Sequence, residues 1–184
     1  MSYKNENMKM IELHENGLDI QFRIRENGVV ELADFSSQEV KKAVMEPKED
    51  ICYPAVEIHR SGTGSLNMHA YKNNINQSSV DFVYENHELK AQAGGKELEI
   101  VMISPEKLKA VYHMRLFDGV PAVQTWTEII NEGSEEQGLT YVSSFMYQGI
   151  SRGGEKPYYK KTDIYVLLTL GAVRHSGRNT MQKR

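Results

Sequence analysis

Residues able to do chemistry are few in this chain and lie far apart. Six histidines, His14, His59, His69, His87, His113 and His175, stand without H-x-H, H-x-x-x-H or HExxH spacing. Such local spacing is what puts two ligands on one helix turn or one strand face, so its lack gives no expectation of a metal site, and no cofactor is expected either. Strand pairing can still join distant ligands, and spacing does not reveal that. Cys52, in Asp50-Ile51-Cys52-Tyr53-Pro54, has no adjacent positive charge to favour a thiolate and reads as a small half-buried hydrophobe. Gly62-Thr63-Gly64 and Gly153-Gly154 lack the lysine and the following helix of a phosphate loop, so they read as turn glycines. Trp126, the only tryptophan, shares a strand face with Glu128. An indole beside a carboxylate can stack on a sugar's C–H face while accepting its hydroxyls, although packing across a sheet is what the residue types alone favour. Glu132, Glu135 and Glu136 read as a solvated turn, and no catalytic residue is assigned.

The elements that must position these residues are strands. Leu18, Ile20, Phe22 and Ile24 alternate with Asp19, Gln21, Arg23 and Arg25, the pattern of a half-buried strand. Asn16-Gly17 and Asn27-Gly28 flank it, and each suits the paired positive φ angles of a type I′ turn, giving a meander of residues 10–14, 18–25 and 29–35. Further strands are expected over residues 80–92, 97–104, 109–117, 122–131 and 139–148, with turns at Gly94-Gly95, Asp118-Gly119 and residues 131–134. Within the third of these, Ala110, Tyr112, Met114 and Leu116 share one face, while Val111, His113, Arg115 and Phe117 form a mixed, partly covered second face. The helix candidate spans residues 36–45, where Ser36 and Glu39 have capping-box spacing. Ten tyrosines and five phenylalanines suit a sheet surface. The expected fold is all-β, a two-sheet antiparallel sandwich with at most one short helix.

Composition excludes several function classes. With 184 residues, 40% hydrophobic and 26% charged, the chain can bury one sizeable core. Its formal charge of -3 provides no broad basic field, so neither nucleic acid nor an anionic membrane is an expected partner. No stretch of roughly 18 or more consecutive apolar residues occurs, as a helical span would need. A single cysteine and a polar start without an apolar leader make the cytoplasm the expected compartment.

Residues 1–9 read as a flexible N-terminus and 10–166 as the sandwich. Residues 167–184 differ in kind, carrying Arg174, Arg178, Lys183 and Arg184 and no acid. One reading is an exposed basic terminus; the other is a frame-shifted, non-native tail, since permitted codons for Leu167 onward let the neighbouring reading frame encode an acidic segment with two tryptophans.

Several segments together resemble the N-terminal domain of the bacterial α-galactosidases of glycoside hydrolase family 36. They are Leu18-Asp19-Ile20-Gln21-Phe22, Gly28-Val29-Val30-Glu31-Leu32, Tyr53-Pro54-Ala55-Val56-Glu57-Ile58, Val123-Gln124-Thr125-Trp126-Thr127-Glu128-Ile129-Ile130-Asn131-Glu132-Gly133, and the strand Leu139, Tyr141, Val142, Ser143, Ser144 and Phe145. The likeness covers roughly residues 10–166. It implies a galactose-mutarotase-like β-supersandwich followed by a (β/α)8 barrel that hydrolyses terminal α-galactosides with retention. Eight β-α units need about 250 residues, so the barrel and both its catalytic aspartates are expected to be missing from this chain. The resemblance therefore implies a noncatalytic module whose partners are its own barrel, further copies of itself in a homo-oligomer and, through the parent enzyme, an α-galactoside. It also implies that a loop holding Asp50, Cys52 and Tyr53 borders the substrate pocket of a neighbouring subunit. Two competing classes remain. An independent carbohydrate-binding module would bind sugar unaided, and a sugar-modifying enzyme such as a mutarotase would need a histidine facing a carboxylate across the sheet.

Overall fold

The computed structural model describes residues 9–37, 53–64 and 77–147. Nine strands and one helical turn run in the order β1 (Lys9–Glu15), β2 (Leu18–Ile24), β3 (Val30–Ser37), β4 (Ile58–Arg60), α1 (Gln77–Val80), β5 (Val83–Gln92), β6 (Gly95–Ile103), β7 (Leu108–Phe117), β8 (Val120–Asn131) and β9 (Leu139–Val142). The molecule is all-β, and among the described residues every strand pairing is antiparallel. One sheet is β1-β2-β3, a second is β5-β6-β7-β8, and a short ladder joins β4 to β9.

The alternating side chains of each strand explain the layering. Ile11, Leu13, Ile20, Phe22, Ile24 and Leu32 of the first sheet meet Leu98, Ile100, Met102, Leu108, Ala110, Tyr112, Met114 and Leu116 of the second in one core. At its centre the rings of Phe22 and Tyr112 pack edge to face, with centroids 5.7 Å apart. A one-residue slip of β6 or β7 would turn these groups to the surface, so burial of this face fixes the register.

The β4-β9 ladder is tied to both sheets. Ala55 donates its N–H to Val30 O at 2.7 Å, Ser143 donates to Glu57 O at 2.8 Å, and the Thr127 hydroxyl donates to Ser143 O at 2.9 Å. The far edge of β4 pairs with no strand among the described residues and is met by α1 instead. Ile58 N–H donates to Ser79 Oγ and Arg60 N–H to Ser78 Oγ, while both hydroxyls donate to Ile58 O. Two serine side chains thus do for β4 what a neighbouring backbone would do.

Four expectations require correction. Ser36, expected to begin a helix, lies in β3, because the meander carries its alternation through this point; residues 38–45 lie outside the described residues. Asn16 and Gly17 both have positive φ, as a type I′ turn requires, but at Asn27-Gly28 only Gly28 does. There Gly28 N–H donates to Arg25 O and Asn27 Oδ1 accepts from Val29 N–H, a three-residue turn closed by a left-handed glycine. Lys9 belongs to β1 rather than to a flexible leader. The last expected strand ends at Val142, since Ser143 turns aside to bond Glu57; residues 143–147 are irregular, and the 167–184 tail lies outside the described residues.

Candidate functional site

Among the described residues, the outward face of the second sheet gathers one group of side chains that could hold a metal ion, Glu97, Glu99 and His113. On β6, burial of Leu98 and Ile100 forces Glu97 and Glu99 to the opposite face; on β7, burial of Tyr112 and Met114 does the same for His113. Register then sets Glu99 beside His113 and His113 beside Trp126, a row across three strands. Residues separated by up to 27 positions in sequence become neighbours.

His113 occupies the middle of this row and is only 7% exposed. Trp126 lies flat on its ring, with centroids 4.6 Å apart and planes 5° from parallel. The imidazole Nδ1 is 2.9 Å from Glu97 Oε1 and 3.9 Å from Glu99 Oε1. Its Nε2 is buried without a hydrogen-bond partner, with Glu128 Oε2 3.8 Å away. Glu99 also receives a 2.5 Å hydrogen bond from Lys90 Nζ through Oε2, which holds the Lys90 ammonium above its ordinary value. An imidazole set between carboxylates in this way can hold or pass a proton, or offer a ring nitrogen to a cation. Glu97, Glu99 and His113 each present one ligand atom, all within 4.8 Å of one another.

A second pair sits at the start of β4, where His59 Nε2 is 2.9 Å from Oε1 of the preceding Glu57 and the ring packs on Tyr141. His14 is paired with Asp19 at the β1-β2 hairpin. His87 instead bonds the Tyr84 hydroxyl at 2.7 Å; partial burial and the nearby Lys9 charge hold its pKa below the ordinary value.

Of the residues singled out in the sequence, Asp50 and Cys52 lie outside the described residues. Tyr53 is described, and its N–H donates to Glu31 Oε1 at 2.9 Å. Glu31 is itself buried between Arg23 and Arg25, at 3.5 and 3.1 Å, so a charged cluster on β2-β3 anchors the start of this segment. Trp126 is neither core nor a free platform, because one indole face is taken by His113. Spacing alone missed Glu97, Glu99 and His113 as a group. The available signal was positional: Glu97 and Glu99 share one face of a strand next to the strand whose mixed face holds His113.

No family model and no curated protein matches this chain. Among the described residues, no helix is long and apolar enough to cross a membrane.

Proposed function

We propose that this chain is the noncatalytic N-terminal β-sandwich module of a cytoplasmic α-galactosidase, whose work is to dock a catalytic barrel and support an oligomer. One observation carries the reading. The separate segments that resemble family 36 are contiguous in space: β2 pairs with β3, the 53–58 stretch is bonded to Val30 and Glu31, Ile58 pairs with Val142, and Thr127 reaches Ser143. Contiguity of this kind is expected of segments that serve one scaffold. Exposed Val120, Leu139, Tyr141 and Phe145 offer apolar surface of the sort a docked domain or a second copy covers.

Reading the gene beyond the codon for Val166 tests this directly: a downstream barrel sequence supports it, and an unrelated continuation defeats it. The chain alone is expected to release no galactose from an artificial α-galactoside and to form dimers or larger species by light scattering. Asp50, Cys52 and Tyr53 would then border the neighbouring subunit's substrate pocket, with Glu31 fixing the main chain at Tyr53.

A second reading is an independent carbohydrate-binding module, favoured by Trp126 and Glu128 on one outward face. It requires calorimetric binding of galactose, melibiose or raffinose by the chain itself. The sugar-modifying enzyme class finds the pair it needs in His113 and Glu97, yet an imidazole covered by indole presents little surface to a sugar.

A further inference from the structure

We propose that Glu97, Glu99 and His113 bind one divalent transition-metal ion of the zinc class, with Glu128 as the outer partner of the imidazole. The three ligand atoms come from adjacent paired strands and already lie within 4.8 Å of one another. Two carboxylates and one imidazole suit zinc and its neighbours. The ring nitrogen disfavours calcium and magnesium, which prefer all-oxygen sites.

The stranded ring nitrogen is the independent observation. His113 has a side chain only 9% exposed, and its Nε2 has no hydrogen-bond partner. If Nδ1 carries the proton and donates it to Glu97, a bare Nε2 lone pair remains buried, which costs free energy. An ion on Nδ1 reverses this. The ring proton must then sit on Nε2, where Glu128 Oε2 at 3.8 Å needs only a small movement of an exposed side chain to accept it. A ligating histidine whose second N–H meets a carboxylate is the arrangement that fixes tautomer and ring orientation in metal sites.

The neighbouring charges agree. Lys90 occupies Glu99 Oε2 and leaves Oε1 toward the histidine, so Glu99 keeps an oxygen for the ion. Trp126 lies on the ring face, whereas a ligated ion lies in the ring plane, so the stack locks the imidazole without blocking its nitrogen. Glu99 is 22% exposed, which leaves the ion an approach from solvent.

Because Trp126 is the chain's sole tryptophan and lies against His113, its emission reports the site. The test titrates zinc chloride into the full 184-residue chain, freed of metal by a chelator, following Trp126 emission, calorimetric stoichiometry and the melting temperature. One ion per chain, a saturable emission change and a raised melting temperature are expected. Glu99→Gln, at a partly exposed position that leaves the core intact, is expected to weaken binding at least about tenfold, and Glu128→Gln about tenfold, with unchanged far-ultraviolet circular dichroism. Absence of a saturable response at millimolar zinc, an equal response to magnesium, or unaltered zinc binding in the folded Glu97→Gln/Glu99→Gln variant would each overturn the proposal.

Discussion

Asn16 shows how much one residue can hold. It adopts a φ of 52° at the β1-β2 turn, and its amide reaches the β7-β8 hairpin, donating from Nδ2 to Phe117 O and accepting from Gly119 N–H, both at 2.9 Å. Asparagine tolerates the left-handed region that alanine resists by about 1–2 kcal/mol, and each bond adds about 1 kcal/mol. Asn16→Ala is expected to cost roughly 3 kcal/mol and Asn16→Gly, which relieves the backbone term, clearly less; equal losses in urea unfolding would refute the division. Tyr112 is the opposite case. Its hydroxyl is buried without a hydrogen bond, Thr125 being its polar neighbour at a geometry short of one, and burial pushes the phenol well above its ordinary pKa. Tyr112→Phe should therefore change stability by less than about 1 kcal/mol, and a larger loss would reveal a bond the geometry does not contain.

At the scale of elements, the hydrogen-bonding needs of β4 decide local design. Ser78 Oγ donates to Ile58 O at 2.6 Å and accepts from Arg60 N–H at 3.2 Å, all of it buried. Ser78→Ala strands the Arg60 N–H, while Ile58 O keeps its bond from the Ser79 hydroxyl, so a loss of about 1–3 kcal/mol in chemical denaturation is expected. Arg60 then binds β4 to the second sheet's ends through Asp81 at 3.1 Å and Glu106 at 2.7 Å. Burial works to raise the Glu106 pKa, but its own main-chain hydrogen bond, Arg60 and Ser104 outweigh it and hold the carboxyl below 4.5. A depressed folded value means stability present above the unfolded pKa and lost as pH falls through the folded one. Melting temperature should drop on acidification below about pH 4.5 less steeply in Glu106→Gln than in the parent, and parallel profiles would exclude this contribution. Neither link was legible beforehand: Gln77-Ser78-Ser79 has no periodicity, and nothing local couples Arg60 to Glu106.

For the whole molecule, the Phe22-Tyr112 contact joins two sheets that share no backbone ladder. Cooperativity between them therefore travels mainly through the shared core, helped by single main-chain bonds such as Tyr84 N–H to Gly28 O at 2.8 Å. Phe22→Ala is expected to destabilise the fold by about 3–5 kcal/mol, with Trp126 emission and far-ultraviolet circular dichroism still changing together, because both sheets line the same core. Separate transitions would show that the sheets are independently stable.

Period-two alternation is written in the chain itself, so most strands, the inward faces and the all-β class followed from residue order alone. Ala110, Tyr112, Met114 and Leu116 were legible as one buried face because neighbouring side chains on a strand point apart. Which strands become neighbours is a different matter, since pairing energy depends on partners far away along the chain. Only the tertiary structure could place Glu97, Glu99, Trp126 and Glu128 around His113, or seat Ser78 and Ser79 on the edge of β4. Local order sets which way a side chain faces; the packing of distant strands sets what it meets.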